Sequence, residues 1–369
     1  MASVNTWILE ESIRHQADLA AYSNTVVSRI IAVLNRSDAR LYAQLTAALE
    51  RMDPASFTPE RLESLLLSVR NLNRQAYTAM GNTLQAQLQD FTGYETAYQN
   101  MMLVSALPVR VHVGAVTAQS VYAAALSRPF QGVFLKGALD DMEAGRAKRI
   151  RQVVANGFTE GRTTAQIVRD LRGTQAKGFA DGLMEGPRVE VERVARTALS
   201  HMAGFVQDRT AKANAHLIKA IRWSSHLDLR TSEICQIRDG MLYGPTEHEP
   251  MGHSLPWLGG PGRAHWNCRS AQTYVLKSMA ELGIKVPDVL MRDGTRASMD
   301  GQVPEDVTYR EWITKQSPER QAKVLGPERA RLMREGKLSL QAMYSNKGVY
   351  KTLDELRESD AQAFRRAGL

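Results

Sequence analysis

The sequence predicts an α+β protein that is predominantly α-helical. It should have an N-terminal long helical hairpin or bundle, central helices with a small antiparallel sheet and a turn-rich loop, and a small helical C-terminal module. Three observations lead there. Apolar residues recur at spacings of three and four over most of the first ninety positions. Short alternating runs that read as strands lie in the region around 218–276. Between Trp223 and Thr273 lies a turn-rich stretch that holds both cysteines, four of the eight histidines and three of the five tryptophans. A chain of 369 residues exceeds a single core, and shifts in pattern divide it into 1–140, 141–286 and 287–369.

Val27, Ile31, Leu34, Leu41, Leu45, Ala48 and Met52 form the first helical stripe, broken only by Asp38. Asp53-Pro54 ends that helix, and Thr58-Pro59-Glu60 starts the next with a cap and a first-turn proline. Leu62, Leu65, Val69, Leu72, Ala76, Ala79 and Thr83 repeat the pattern, so the two helices make an antiparallel hairpin. Its wide apolar faces need a partner, either the chain's own core or another protein's helices. Residues 94–127 are rich in small side chains and interrupted at Leu107-Pro108. The Val109-Arg-Val111-His-Val113 alternation there reads as helix because alanines flank it. A further helix over 130–156 ends in the basic cluster Arg146, Lys148, Arg149 and Arg151.

Residues 157–164 turn into a short helix around Ile167, Val168 and Leu171, capped by Thr163 or Thr164. Glycines and Pro187 mark a linker from Gly173, followed by a longer helix from Val189 to about Ala215. Ile218 to Trp223 alternates as a strand, with Met241–Tyr243 and Ala271–Leu276 as the next strands. Asp239-Gly240 reads as a hairpin turn between 234–238 and 241–243. Beyond Pro287, residues 288–307 look loop-like. Trp312, Leu325, Leu332, Leu338, Leu340, Met343, Leu353 and Leu356 then outline short helices broken at Gly326-Pro327 and Gly336.

The net charge is +8 and the pI near 9.5, a balance that favours an acidic partner. Most of the excess sits between Met142 and Arg222, with 15 Lys/Arg against 8 Asp/Glu. Arg146, Lys148, Arg149 and Arg151 are the candidate contacts to DNA, and a solvated helical surface is the plainer reading of the same charges. Few aromatics interleave them, which argues against a single-strand stacking platform. No run approaches 18 apolar residues, and Glu10, Glu11, Arg14 and His15 interrupt the N-terminus, so neither a spanning helix nor a signal peptide is expected. Two cysteines exclude a disulfide framework.

Within the turn-rich stretch, Cys235, His265 and Cys268 are the soft donor set that zinc prefers. A fourth ligand would come from His226, Asp228, His248 or His253, and no other cofactor is indicated. Two further readings stay open: a Cys235–Cys268 disulfide formed after release from the cell, and plain buried cysteines. Catalysis by a cysteine or by a metal-assisted nuclease is weaker, since no acidic and histidine pair stands opposite His265 and Asn267. No catalytic residue is assigned. Gly259-Gly-Pro-Gly262 lacks a following Lys-Ser/Thr and reads as a turn rather than a phosphate cradle. Asp228, Arg230 and Asp239 are expected to hold the loop, and Trp266 to plug the small core.

The order Trp223, Asp228-Leu-Arg230-Thr231-x-x-x-Cys235-x-x-x-Asp239-Gly240, then His265-x-x-Cys268-Arg269 after a Pro/Gly loop resembles the phage head morphogenesis family named for the F protein of phage Mu. The resemblance covers roughly 144–276, and the tail is similar to an extension of minor head proteins of tailed phages. Relatives carry cysteine where this chain has Ser232 and Ser270, and often an acidic residue where it has Ala198. The resemblance implies a minor head protein near the portal, acting in head morphogenesis and DNA packaging, with ejection alongside the genome as a further expectation. Its partners would be the portal, scaffold or other head proteins and the packaged double-stranded DNA, bound nonspecifically. Its place would be the virion, in the head interior or at the portal vertex, reached through the host cytoplasm without a membrane. The alternative function is a nuclease or other hydrolase acting on nucleic acid.

Overall fold

Two long helices carry the first hundred residues. The computed structural model of the chain describes residues 4–51, 59–107, 111–177, 179–278, 280–283, 295–304, 306–346 and 348–369. Helix α1 (Val4–Glu50) has 47 residues and α2 (Pro59–Ala106) has 48, about 70 Å each at a rise of 1.5 Å per residue. They pair in opposite directions: Ser68 donates to Gln44, Arg29 to Gln87, and Tyr22 stacks on Phe91. The expected hairpin is therefore present. Met52, the cap Thr58, the side chain of Leu62, residues 109 and 110 of the alternation, and 288–294 of the expected loop lie outside the described residues.

Packing divides the molecule into two compact units, each discontinuous in sequence. One comprises Met1–Leu19, Gly93–Val121 and Ser200–Leu369, the other Ala20–Thr92 and Tyr122–Leu199. The unit boundaries fall inside helices, whereas the sequence pattern suggested consecutive parts ending at 140 and 286.

In the second unit, α1 and α2 pack with α4 (Leu135–Thr159), α5 (Thr164–Arg172) and the start of α6 (Glu185–Ala213). α3 (Ala118–Leu126) precedes them in the chain. The core includes Leu41, Leu45, Leu66, Val69, Ile150, Val154, Ile167 and Leu171. Asp38, which breaks the apolar stripe of α1, is nevertheless buried on it. Its carboxylate holds Arg146 of α4, and Arg188 of α6 reaches the other oxygen at 3.3 Å. In α2 the buried seam runs through Leu66, Val69, Asn73, Ala76, Met80, Leu84 and Leu88, so Ala79 and Thr83 lie off it. Asn73 completes the seam by donating to the carbonyl of Glu143 at 3.0 Å and to its carboxylate at 2.7 Å. Thr163 caps α5 in a reciprocal capping box with Gln166. α6 begins at Glu185, placing Pro187 in its first turn, four residues earlier than the pattern suggested.

In the first unit a four-stranded antiparallel sheet has the order β3-β2-β1-β4, with β1 Ile218–Ser224, β2 Leu242–Tyr243, β3 Pro250–Met251 and β4 Ala271–Leu276. Ile221 pairs with Tyr243 on one side and Tyr274 on the other. Ile218, Ile221, Tyr274 and Leu276 pack on Ile8 of α1, on Met102, Leu103 and Ala106 of α2, and on Ala211 of α6. The outer strand β4 presents Leu276 to Asn5, whose amide oxygen accepts from the Leu276 N–H at 2.7 Å and whose nitrogen donates to its carbonyl at 3.3 Å. That contact closes part of an exposed sheet edge.

Three local readings differ from the structure. Residues 111–117 are neither helix nor strand. Residues 233–238 form a short helix, α7 (Glu233–Arg238), so Asp239-Gly240 joins a helix to β2 and not two strands. Part of the expected loop is a hairpin of β5 (Thr295–Ser298) and β6 (Gly301–Pro304). The C-terminal module follows the reading closely, with α8 (Tyr309–Thr314), α9 (Pro318–Leu325), α10 (Pro327–Arg334), α11 (Leu353–Ser359) and α12 (Ala361–Ala367). Trp312, Leu325, Leu332, Leu338, Leu340, Met343 and Leu356 are buried in it, joined by Phe364. No helix among the described residues is long and apolar enough to cross a membrane.

Candidate functional site

The stretch from Trp223 to Thr273 wraps one end of the sheet. Trp223 is fully buried at the end of β1, with its backbone paired to Met241 and Gly240. Trp257 meets it edge-on at 5.7 Å, and Tyr243 packs against both rings. Gly260 makes room for the Trp257 ring, which a β-carbon at that position would approach to 2.4 Å. The Pro/Gly segment is thus a pair of tight turns, as its sequence indicates, with Gly260 N–H on Trp257 and Arg263 N–H on Gly260. Arg263 lies over the Phe205 ring of α6 and pairs with Asp208. Burial opposes ionisation of Asp208, but Arg263 and His248 overcome it and hold the carboxyl below its usual range. Trp266 is half-buried and is not among the residues of the aromatic cluster, which is centred on Trp223, Tyr243 and Trp257.

Two carboxylates organise the loop. Asp228 accepts the Arg230 N–H at 3.0 Å and the Thr231 hydroxyl at 3.0 Å, and Arg269 grips it with two bonds of 2.6 and 2.8 Å. Burial raises its pKa, yet the Arg269 fork outweighs that and leaves it well below the usual carboxylate range. Arg230 itself is exposed and only 3.8 Å from Asp228, so the working cation is Arg269. Asp239 is completely buried and accepts the N–H groups of Ser225 and Tyr309, each at 2.7 Å. Arg296 of β5 pairs with it at 2.9 Å and also donates to the carbonyls of Ser225 and Val307. Arg296 and Tyr309 carry no motif that sequence reasoning could have used. The α7 residue Gln236 is a second link to the C-terminal module, accepting from Tyr344 at 2.9 Å and Tyr350 at 3.0 Å.

The structure brings Cys235, His265 and Cys268 together, with one donor atom from each lying within 4.8 Å of the others. Cys235 sits in α7, while His265 and Cys268 occupy the ends of one turn closed by Cys268 N–H on the His265 carbonyl at 3.2 Å. Asn267 supplies the left-handed residue this turn needs, with φ of 55°. The sulfurs are 3.7 Å apart, and Cys235 Sγ is 3.3 Å from His265 Nε2. His265 Nδ1 lies 2.9 Å from the Trp266 carbonyl, so the ring donates there and turns Nε2 to the sulfurs. Ser232 Oγ is 2.7 Å from the same Nε2. The hydrogen bond with Cys268 and burial push the Cys235 thiol up. The bond from Cys235 and the neighbouring His265 hold Cys268 well below the thiol range, against burial. Burial draws His265 down, but the Cys268 bond and charge leave it raised. Both cysteines are free, with no bond between their sulfurs.

None of the expected fourth ligands joins this group. Asp228 is taken by Arg269. His248 stacks on Trp257 at 4.5 Å, and His253 lies 2.9 Å from the Leu242 carbonyl while its Nδ1 accepts from Leu255. Burial and the nearby Arg269 push the His226 imidazole below its usual pKa. Among the described residues this is the one cluster of three or more metal-capable His, Cys, Asp or Glu side chains, and it contains no carboxylate.

Replacing Asn267 by valine is expected to destabilise the unit by about 1–2 kcal/mol, because a β-branched side chain resists positive φ. Glycine at the same position should cost less, since it adopts positive φ without strain. Thermal unfolding of the two variants checks the order, and equal losses would mean that the backbone there is not constrained.

The four basic candidates divide. Arg146 is buried and committed to Asp38, which removes it from any DNA-facing surface. Lys148 and Arg151 are exposed, Arg151 beside Glu63, and Arg149 is half-buried 3.7 Å from Glu190.

Comparison with known proteins agrees with this stretch. No curated protein and no solved structure matches the chain significantly. Residues 148–273 match the family described as phage Mu protein F like protein, a span that runs from the basic helix α4 through the Cys/His turn into β4. The match ties the chain to bacteriophage head morphogenesis. Over residues 148–273 the chain is thus similar to the phage Mu protein F like family.

Proposed function

We propose that the chain is a minor head protein of a tailed bacteriophage, stationed at the portal, acting in head morphogenesis and DNA packaging and leaving with the genome. The observation that carries this reading is the family match over 148–273. Two surface features support it. On α2, Tyr94, Ala97, Met101 and Val104 form an exposed stripe at helical spacing without a charge among them, suited to a helix of the portal or scaffold. Lys148 and Arg151 stand exposed on α4 and suit sequence-independent phosphate contacts in a DNA-filled head. The protein would pass through the host cytoplasm during assembly and reside in the head interior or at the portal vertex. A nuclease reading finds less support, because nucleases that work through magnesium-type ions draw on oxygen ligands, and the Cys/His cluster offers none from Asp or Glu.

A photo-crosslinking residue placed at Met101 in assembled particles tests the docking face. Capture of portal or scaffold subunits is the expected product. Capture of outer-shell subunits alone would refute the assignment.

A further inference from the structure

We propose that Cys235 Sγ, Cys268 Sγ and His265 Nε2 bind one zinc ion as a structural staple, with Ser232 Oγ, or a water that it holds, closing the tetrahedron. The spacing of the donors fits. Zinc–sulfur bonds of about 2.3 Å at tetrahedral angles place two sulfurs about 3.8 Å apart, and a sulfur and an imidazole nitrogen about 3.6 Å apart. The corresponding separations here are 3.7 Å and 3.3 Å. A disulfide, with its bond of about 2.05 Å, would require the two sulfurs to close by roughly 1.6 Å. Two thiolates and an imidazole select a soft, tetrahedral ion over magnesium or calcium.

The surroundings are those of a ligand set. The Trp266 carbonyl takes the Nδ1 proton of His265, which leaves the Nε2 lone pair for the ion. Gly262 N–H donates to Cys268 Sγ at 3.3 Å, the kind of backbone bond that stabilises a metal-bound thiolate. Ser232 stands at the N-cap of α7 but makes no side-chain capping bond. Its hydroxyl is spent on His265 instead. Once an ion takes the Nε2 lone pair, that hydroxyl loses its acceptor and is left beside the fourth coordination position. The two cysteines are almost wholly buried, which suits a staple better than a centre that admits substrate. By joining α7 to the 265–268 turn, the ion would close a loop of 33 residues that contains β2, β3 and the Pro/Gly turns.

Metal analysis and Co²⁺ titration of the full-length protein, purified reduced, test this. The expected result is one zinc per chain and, with Co²⁺, thiolate charge-transfer absorption together with the visible bands of a tetrahedral ion. Cys268→Ala should lose both signals. Ser232→Cys should tighten binding by about tenfold or more and intensify the charge-transfer band, so a gain remains readable if Cys268→Ala does not fold. A wild-type chain that retains no zinc, gives no Co²⁺ charge transfer and titrates with both thiols free overturns the proposal. So does a Ser232→Cys variant indistinguishable from wild type in both measurements.

Discussion

Replacing Asp239 by alanine is expected to cost about 3–5 kcal/mol, since removing one partner of a buried ion pair leaves the other charged and unsolvated. Asp239 and Arg296 are both buried, and no water can take over the lost bonds cheaply. The substitution also strands the Ser225 and Tyr309 N–H groups. Tyr309 opens α8, and Arg296 anchors the β5–β6 hairpin, so the loss should be felt first in 295–314. Asp239→Asn keeps one acceptor oxygen and should cost less than alanine, because the bonds to that oxygen persist while its NH2 faces the donors of the other. Hydrogen exchange resolved by peptide is the check. The expected pattern is lost protection in 225–240 and 295–314 for alanine, and a smaller loss for asparagine. Unchanged exchange in both variants would show that the carboxylate does not fasten the C-terminal module.

Asp38→Ala is the second large effect, again about 3–5 kcal/mol, and it acts in the other compact unit. It leaves the buried Arg146 without its carboxylate and removes the partner of Arg188. Arg146→Met should cost less, because Asp38 keeps Arg188 and a flexible apolar chain can occupy the guanidinium's place beside Met184 and Tyr77. Chemical denaturation of the two variants measures the order. A larger loss from Arg146→Met would mean that packing by the arginine outweighs the charge pair. The same geometry explains why Arg146 is a poor DNA contact: its charge is already consumed inside the helical unit.

What the sequence made legible follows from how locally each feature is determined. β1 and β4 are short β-branched and aromatic runs between turn residues, so their existence could be read, whereas the bulge between Ile218 and Ala220 and the burial of Gln272 and Thr273 depend on the packing around them. The tail leucines and Trp312 outline a core because each short helix has its own cap or breaker, such as Thr308, Ser317 and Gly326. The seam of α2 was misplaced at Ala79 and Thr83 because the true seam passes through the polar Asn73, which only its bonds to Glu143 justify. Asp38 looked like a break for the same reason. The residues of α7 read locally as a hairpin arm, since Asp239-Gly240 is a strong turn signal and the helix depends on distant partners such as Tyr344 and Tyr350. The Cys/His set was visible because its residue types are rare. Its neighbour Ser232 stands out only through the resemblance, as a place where relatives carry cysteine, since a serine before a short helix ordinarily reads as a cap. Arg296 sits in a polar hairpin with no apolar pattern to announce it.

The position and copy number of the chain in a purified particle test the central claim most directly. A localised cryo-EM reconstruction of the portal vertex, paired with quantitative mass spectrometry, would measure both. The account predicts a few copies per particle, with density at the portal or along the DNA in the head interior. Copies in proportion to the shell subunits, or density confined to the outer surface, would contradict it.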